Sequence, residues 1–163
     1  MKTIYKVITL LTLCLVSLVS FTKPVEAANY KCLIQLTNYT GEGAYLVVSL
    51  LNNQEEYIKT LYVQGNDKEW YRDVEEWWKQ LYGIKRPDID AIVGETITGG
   101  QRKMAILEIP KDKIDKGFKI RFESAVEDQE YYKDDVLFNL TSDNLKSKIE
   151  GTGYIRYIRL LPQ

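Results

Sequence analysis

Between residues 30 and 37 the chain reads YKCLIQLT, so that Tyr30, Cys32, Ile34 and Leu36 alternate with Lys31, Gln35 and Thr37. Successive side chains of an extended strand point to opposite faces of a sheet, and this period of two describes a strand buried on one side. Residues 44–52, AYLVVSLLN, are apolar at both parities, as a strand covered on both faces must be. Asn52, Asn53 and Gln54 then turn the chain into YIKTLYV at 57–63, a hairpin. Strand patterns return at 104–110, 118–126, 135–140 and 153–161, separated by turn residues. Short strands with such punctuation predict a mainly β protein, an antiparallel two-layer β-sandwich of the immunoglobulin-like kind. Lys119, Arg121 and Glu123 occupy the outward parity of the fifth pattern, 118–126, opposite Ile120, Phe122 and Ser124.

One stretch breaks the alternation. Asn66 stands three residues before Glu69 in the arrangement of a capping box, and Trp70, Val74, Trp77, Trp78 and Leu81 follow at helical spacing up to Gly83. This predicts one inserted α-helix, expected across an end or edge of the sandwich. The tryptophans suit either an aromatic shelf for a ligand or a bulky stripe that docks the helix. Their confinement to one face favours docking.

The beginning of the chain bears on compartment. Lys2 and Lys6 precede an uncharged apolar run at 7–21, and Val25 and Ala27 have the spacing of a signal-peptidase site. Roughly 15 apolar residues fall short of the ~20 that span a bilayer. Residues 1–27 are therefore read as a signal peptide, and 28–163 as a single domain exported to the periplasm or beyond. Cys14 leaves with the signal, so Cys32 is alone and reads as a small buried hydrophobe. The chain contains no histidine. That removes the usual general base, Ser-His and Cys-His catalysis, and nearly every zinc site. Taking Lys2, Lys6, Lys23 and Glu26 from 22 basic and 23 acidic residues leaves a net charge of about −3. No basic stripe favours nucleic acid.

Other clusters are less specific. Glu123, Glu127, Asp128, Glu130, Asp134 and Asp135 crowd one strand end and the loop after it. They suit a solvated loop better than a calcium site, because their spacing is not that of a calcium loop. A hydrolase working through carboxylates alone is the weakest alternative; no pair is selected by the sequence. In the last strand Tyr154 and Arg156 fall on one parity and Tyr157 and Arg159 on the other, which reads as charge protecting an edge strand.

Residues 90–100 read DAIVGETITGG. The segment resembles the flavin-attachment motif of the flavin-binding domains of sodium-pumping quinone reductases and related exported redox proteins. In that motif a flavin transferase joins FMN through its phosphate to a threonine hydroxyl. Asp90, Gly94, Thr96 and Thr98 match its pattern, and the resemblance implies Thr98 as acceptor. Glu95 and Gly99 depart from it, standing where the motif carries a small alanine and a serine. Read from its residues alone, the segment is a glycine-flanked structural loop.

A wider resemblance spans nearly the whole exported chain: the opening strand with the stretch that follows it, the Asp-Ala-x-x-Gly segment, KGFKIRFESAVED and the closing GYIRYIRL. These are similar to a family of predicted periplasmic proteins of unknown function, often encoded near PepSY-type membrane proteins and flavin transferases. The resemblance implies a non-enzymatic accessory or binding protein of an extracytoplasmic flavin or iron redox system. A membrane redox protein or a flavin transferase is its implied partner. The alternative is a flavin-carrying electron-transfer protein with FMN on Thr98.

Overall fold

The doubly apolar run at 44–52 becomes the centre of the protein. In the computed structural model, which describes residues 26–163, it forms β2 (Tyr45–Leu51), bracketed by β3 (Tyr57–Gln64) and β6 (Lys119–Ala125). β7 (Tyr132–Asn139) lies beyond β6, and the two-residue β4 (Val93–Gly94) runs parallel to the end of β3, giving the order β4-β3-β2-β6-β7. The second sheet has the order β5-β1-β9-β8, from β1 (Ala27–Leu36), β5 (Arg102–Pro110), β8 (Lys148–Glu150) and β9 (Ile155–Pro162). All its pairings are antiparallel. The signal segment expected up to Ala27 lies, but for its last two residues, outside the described residues.

The sheets pack face to face as a sandwich. Cys32, Ile34 and Leu36 of β1 meet Leu46, Val48 and Leu50 of β2 and Ile120 and Phe122 of β6 in one apolar core. Burying each large side chain of this kind contributes about 1.5–3 kcal/mol. The inward parity of β1 is the one its alternation predicts.

The helical insertion does not sit at an end or edge. It lies on the outer face of the five-stranded sheet, where Tyr71, Val74, Trp77, Leu81 and Tyr82 pack on Val47 and Val63 in a second apolar cluster. This third layer is why β2 is apolar at both parities. The insertion is a composite: a 3-10 stretch (Lys68–Asp73), an α turn (Glu75–Trp77), a π stretch (Trp78–Tyr82) and a further α turn (Gly83–Lys85). Asp67, rather than Asn66, caps it by accepting from the Glu69 N–H at 3.0 Å. It ends at Arg86, in the left-handed region at φ 41°. Across the five-residue π stretch Trp77 and Tyr82 stack, centroids 4.6 Å apart, with Tyr71 edge-on to both.

β9 is not an edge strand, since it pairs with β1 on one side and β8 on the other. A register shift in the β1–β9 ladder at Gln35/Leu36 also moves Tyr154 and Ile155 into the core while Tyr157 and Arg159 face outward. Charge on β9 therefore serves the outer face of a central strand.

Candidate functional site

Strand edges without neighbours set the position of a large concavity. β4 pairs only with Val63 and Gln64, so the first six residues of β3 have no strand beside them on that side. β5 is the edge of the opposite sheet. Between these two edges runs a groove of about 960 Å³, closed along one wall by Leu81, Lys85 and residues 87–93. Ligand sites commonly measure about 300–1,000 Å³. The lining is mainly aliphatic: Ile58 from β3, Ile89, Ile92 and Val93 from the wall, Met104 and Ile106 from β5. Ile58, Met104 and Ile106 remain 49%, 47% and 44% exposed, unusual for side chains of that size.

Polar groups are few and sit at the rim or the base. Lys59, Lys85, Asp88, Asp90 and Glu108 are all on the lining, and Asp90 is paired with Lys68 at 3.3 Å, both side chains being largely exposed. At the base the Tyr62 hydroxyl donates to Gln64 Oε1 at 2.6 Å. Burial pushes the Tyr62 phenol up to about 12, so it stays a neutral donor at any physiological pH.

The residues of the DAIVGETITGG segment are divided among different roles. Asp90 lines the groove; Gly94 is in β4, and a Cβ there would stand 2.4 Å from the Tyr62 hydroxyl. Thr96 and Thr98 are exposed, with the buried Ile97 between them. Ile97 exchanges a backbone bond with Ala44, whose N–H donates to its carbonyl at 2.8 Å. The Tyr39 hydroxyl also donates to the Ile97 carbonyl, again at 2.8 Å. The Gly100 N–H donates to Thr37 at 2.8 Å, and a Cβ on Gly99 would lie 2.1 Å from the Tyr39 carbonyl oxygen. The loop is therefore held down at three points with Thr98 presented on its surface. It leaves the groove at Val93 and returns to it at Met104.

The acids crowded in sequence are dispersed in space. Asp135 is buried and accepts from the Ser124 hydroxyl at 2.5 Å and from the N–H groups of Thr152, Gly153 and Ile155 at 2.8–3.0 Å, an anchor for the turn before β9. Asp134 pairs with Arg121 at 2.7 Å, while Glu127 and Asp128 border a dent of about 260 Å³ beside Asp73 and Glu75. Among the described residues no three acid or cysteine side chains are disposed to hold a metal ion. Cys32 is fully buried, and burial pushes its thiol up to about 12.

Arg121 and Glu123 depart most from their expected outward placement. Glu123 is 0% exposed, in contact with the helical insertion, and Arg121 is 1% exposed. Glu123 Oε2 accepts from the Tyr131 hydroxyl at 2.6 Å and from the Trp77 N–H at 3.0 Å. Burial pushes the Glu123 carboxyl up to about 8, against the opposing pull of those two donors. Arg121 donates to Asp134 and, at 3.3 Å, to Glu55, and its guanidinium lies over the Tyr57 ring. Neither residue lines the groove.

Apart from residues 90–93 of the DAIVGETITGG segment, the residues that build the groove carry no motif. The available signal was the outward parity of MAILEIP, where Met104 and Ile106 stand in positions that an exposed strand face fills with polar groups. A family model described as predicted periplasmic protein (DUF2271) matches residues 27–157. No curated protein and no solved structure is matched by the chain.

Proposed function

Because the chain belongs to this family of predicted periplasmic proteins, we propose that it is an exported binding protein that holds a mainly apolar ligand in the groove between β3 and β5. On this reading it serves an extracytoplasmic flavin or iron redox system. One observation carries the reading: a groove of about 960 Å³ that leaves Ile58, Met104 and Ile106 exposed in a protein whose other large apolar side chains are mostly packed. Its aliphatic walls with a neutral phenol at the base suit a flat, weakly polar molecule. Titration of purified protein with riboflavin, followed by quenching of the flavin fluorescence, is the test. Saturable quenching that Ile58→Glu weakens about tenfold or more supports the reading, since a charge in an apolar contact costs at least ~1.4 kcal/mol. Quenching that is linear, or equal in the variant, rejects it.

A second reading has its own observation. Thr98 is exposed on a pinned loop that joins two lining residues of the groove, an arrangement approachable by a modifying enzyme. FMN esterified there would make the protein an electron carrier. Co-expression with a flavin transferase, followed by intact mass measurement, decides: a gain of one FMN group in the native chain and none in Thr98→Ala supports it. An unmodified native chain rejects it.

A further inference from the structure

The five-stranded sheet is covered by the helical insertion, but the outer face of the four-stranded sheet is bare. Its ladder registers place side chains in rows across β5, β1 and β9. One row runs Met104, Leu33, Arg159; the next runs Ile106, Lys31, Leu161. Strands lie about 4.8 Å apart and alternate residues about 7 Å apart, so these six side chains form one continuous patch. Met104, Ile106 and Leu161 are 44–47% exposed, and Lys31 and Arg159 are exposed among them. Among the described residues neither Lys31 nor Arg159 pairs with an acid. The neighbouring cations are engaged: Lys148 with Glu150 at 3.0 Å and Arg102 with the side chain of Gln35. Acids outnumber bases in the chain, yet these two rows carry two free cations, and the carboxylates of the same face, Glu108 and Glu150, lie in the rows that flank them.

We propose that this face docks the protein on an anionic phospholipid surface. Three features select that occupant. Lys31 is central rather than peripheral, flanked in its row by Ile106 and Leu161, whereas lysine is depleted from the cores of protein interfaces. A lysine or arginine stem can lie along apolar neighbours while its charge reaches a lipid phosphate. The positive centre on a molecule of net negative charge also orients this face toward a negatively charged bilayer. Apolar side chains beside cations are the combination that holds a peripheral protein at the headgroup boundary. Met104 and Ile106 belong to both the face and the groove, so docking brings the groove mouth to the lipid. The proposal goes beyond the ligand reading and does not require it.

Co-sedimentation of the signal-free protein with large vesicles tests it. Vesicles of phosphatidylglycerol and phosphatidylethanolamine should bind the protein, those of phosphatidylcholine and phosphatidylethanolamine should not. Raising salt from ~50 to ~500 mM should release it. Lys31→Glu and Arg159→Glu should each weaken binding about fivefold or more, and Ile106→Ser should weaken it too. Lys116→Glu, on a turn away from this sheet, should have no effect. Thermal melts identify any variant that fails to fold, which is replaced by the milder Lys31→Gln or Arg159→Gln. Lys31→Glu should leave riboflavin quenching unchanged, because Lys31 does not line the groove, which separates failure of this proposal from failure of the ligand reading. No binding to anionic vesicles, equal binding to neutral ones, or equal losses for Lys31→Glu and Lys116→Glu would overturn it. A dimer in sedimentation velocity that Ile106→Ser dissociates would assign the face to a second copy, and likewise overturn it.

Discussion

The Glu123 carboxylate, buried on β6, accepts a hydrogen bond from the backbone N–H of Trp77 at 3.0 Å, in the middle of the helical insertion. A side chain of the sheet thus satisfies a helical donor, and it does so with a group whose carboxyl burial has pushed up to about 8.

Stability should therefore fall as pH rises through the neutral range. The unfolded chain releases the Glu123 proton near its ordinary value of 4.5, while the folded chain holds it to about 8. Between those values the folded state binds one more proton than the unfolded state, so this group's contribution declines with rising pH, by about 1.4 kcal/mol per unit. It is fully present below 4.5 and lost above 8. Urea titrations at intervals across that window should show the slope in the native protein and its absence in Glu123→Gln. Parallel slopes would falsify the assignment.

Trp77 is enclosed, with its indole N–H on Thr60 Oγ1 at 2.9 Å and its ring stacked on Tyr82. Trp77→Ala should cost about 3–5 kcal/mol through the cavity it leaves. Thr60→Val, which removes only the hydroxyl and strands the indole donor, should cost about 1–3 kcal/mol. Denaturant midpoints check both; a smaller loss for Trp77→Ala than for Thr60→Val would contradict the packing described.

Gly94 matters for what it lacks. A Cβ there would meet the Tyr62 hydroxyl at 2.4 Å, so Gly94→Ala should destabilise by about 1–3 kcal/mol. Tyr62→Phe removes the obstructing oxygen. The double variant should recover most of the Gly94→Ala loss in a mutant cycle, and strict additivity would show that the clash is absorbed elsewhere.

Cys32 should react with iodoacetamide only on global unfolding, because it is enclosed in the sandwich core and its thiol is raised to about 12. Labelling at pH 8 that is fast in native protein would place the thiol in a different environment.

Much of the architecture was legible because strand alternation is a direct record of burial. Cys32, Ile34 and Leu36 fall inward as their parity says, and the doubly apolar β2 is covered on both sides. The position of the insertion was not legible. A stripe of Trp and Leu reports that a helix has a buried face, not which surface receives it. The same gap hid Glu123, a charged residue at the outward parity that reads as solvated until a third layer is placed over it; Arg121 reads so until Glu55, Asp134 and the Tyr57 ring are placed around it. β9 looked like a protected edge because β8, only three residues long, leaves no pattern of its own. The Thr98 loop was recognisable from its glycines, although nothing in its composition distinguishes a loose connection from one tied to Ala44 and Thr37. Beyond residues 90–93 the groove has no motif, being assembled from two strand edges and a wall that meet only in three dimensions.

The pairing of β1 bears on how the molecule is made. Tyr30 is in register with Leu107 on one side and with Pro162 on the other, so the first strand finds its partners in the middle and at the far end of the described chain. Such distant closures are slow. An exported polypeptide emerges with β1 leading; one margin of that strand stays open until β5 has followed, and the other until nearly everything else has. The four-stranded sheet is thus the last part to be completed. During that interval the Cys32 face of β1 is exposed, which makes the freshly translocated chain, rather than the finished fold, the form most dependent on protection from aggregation.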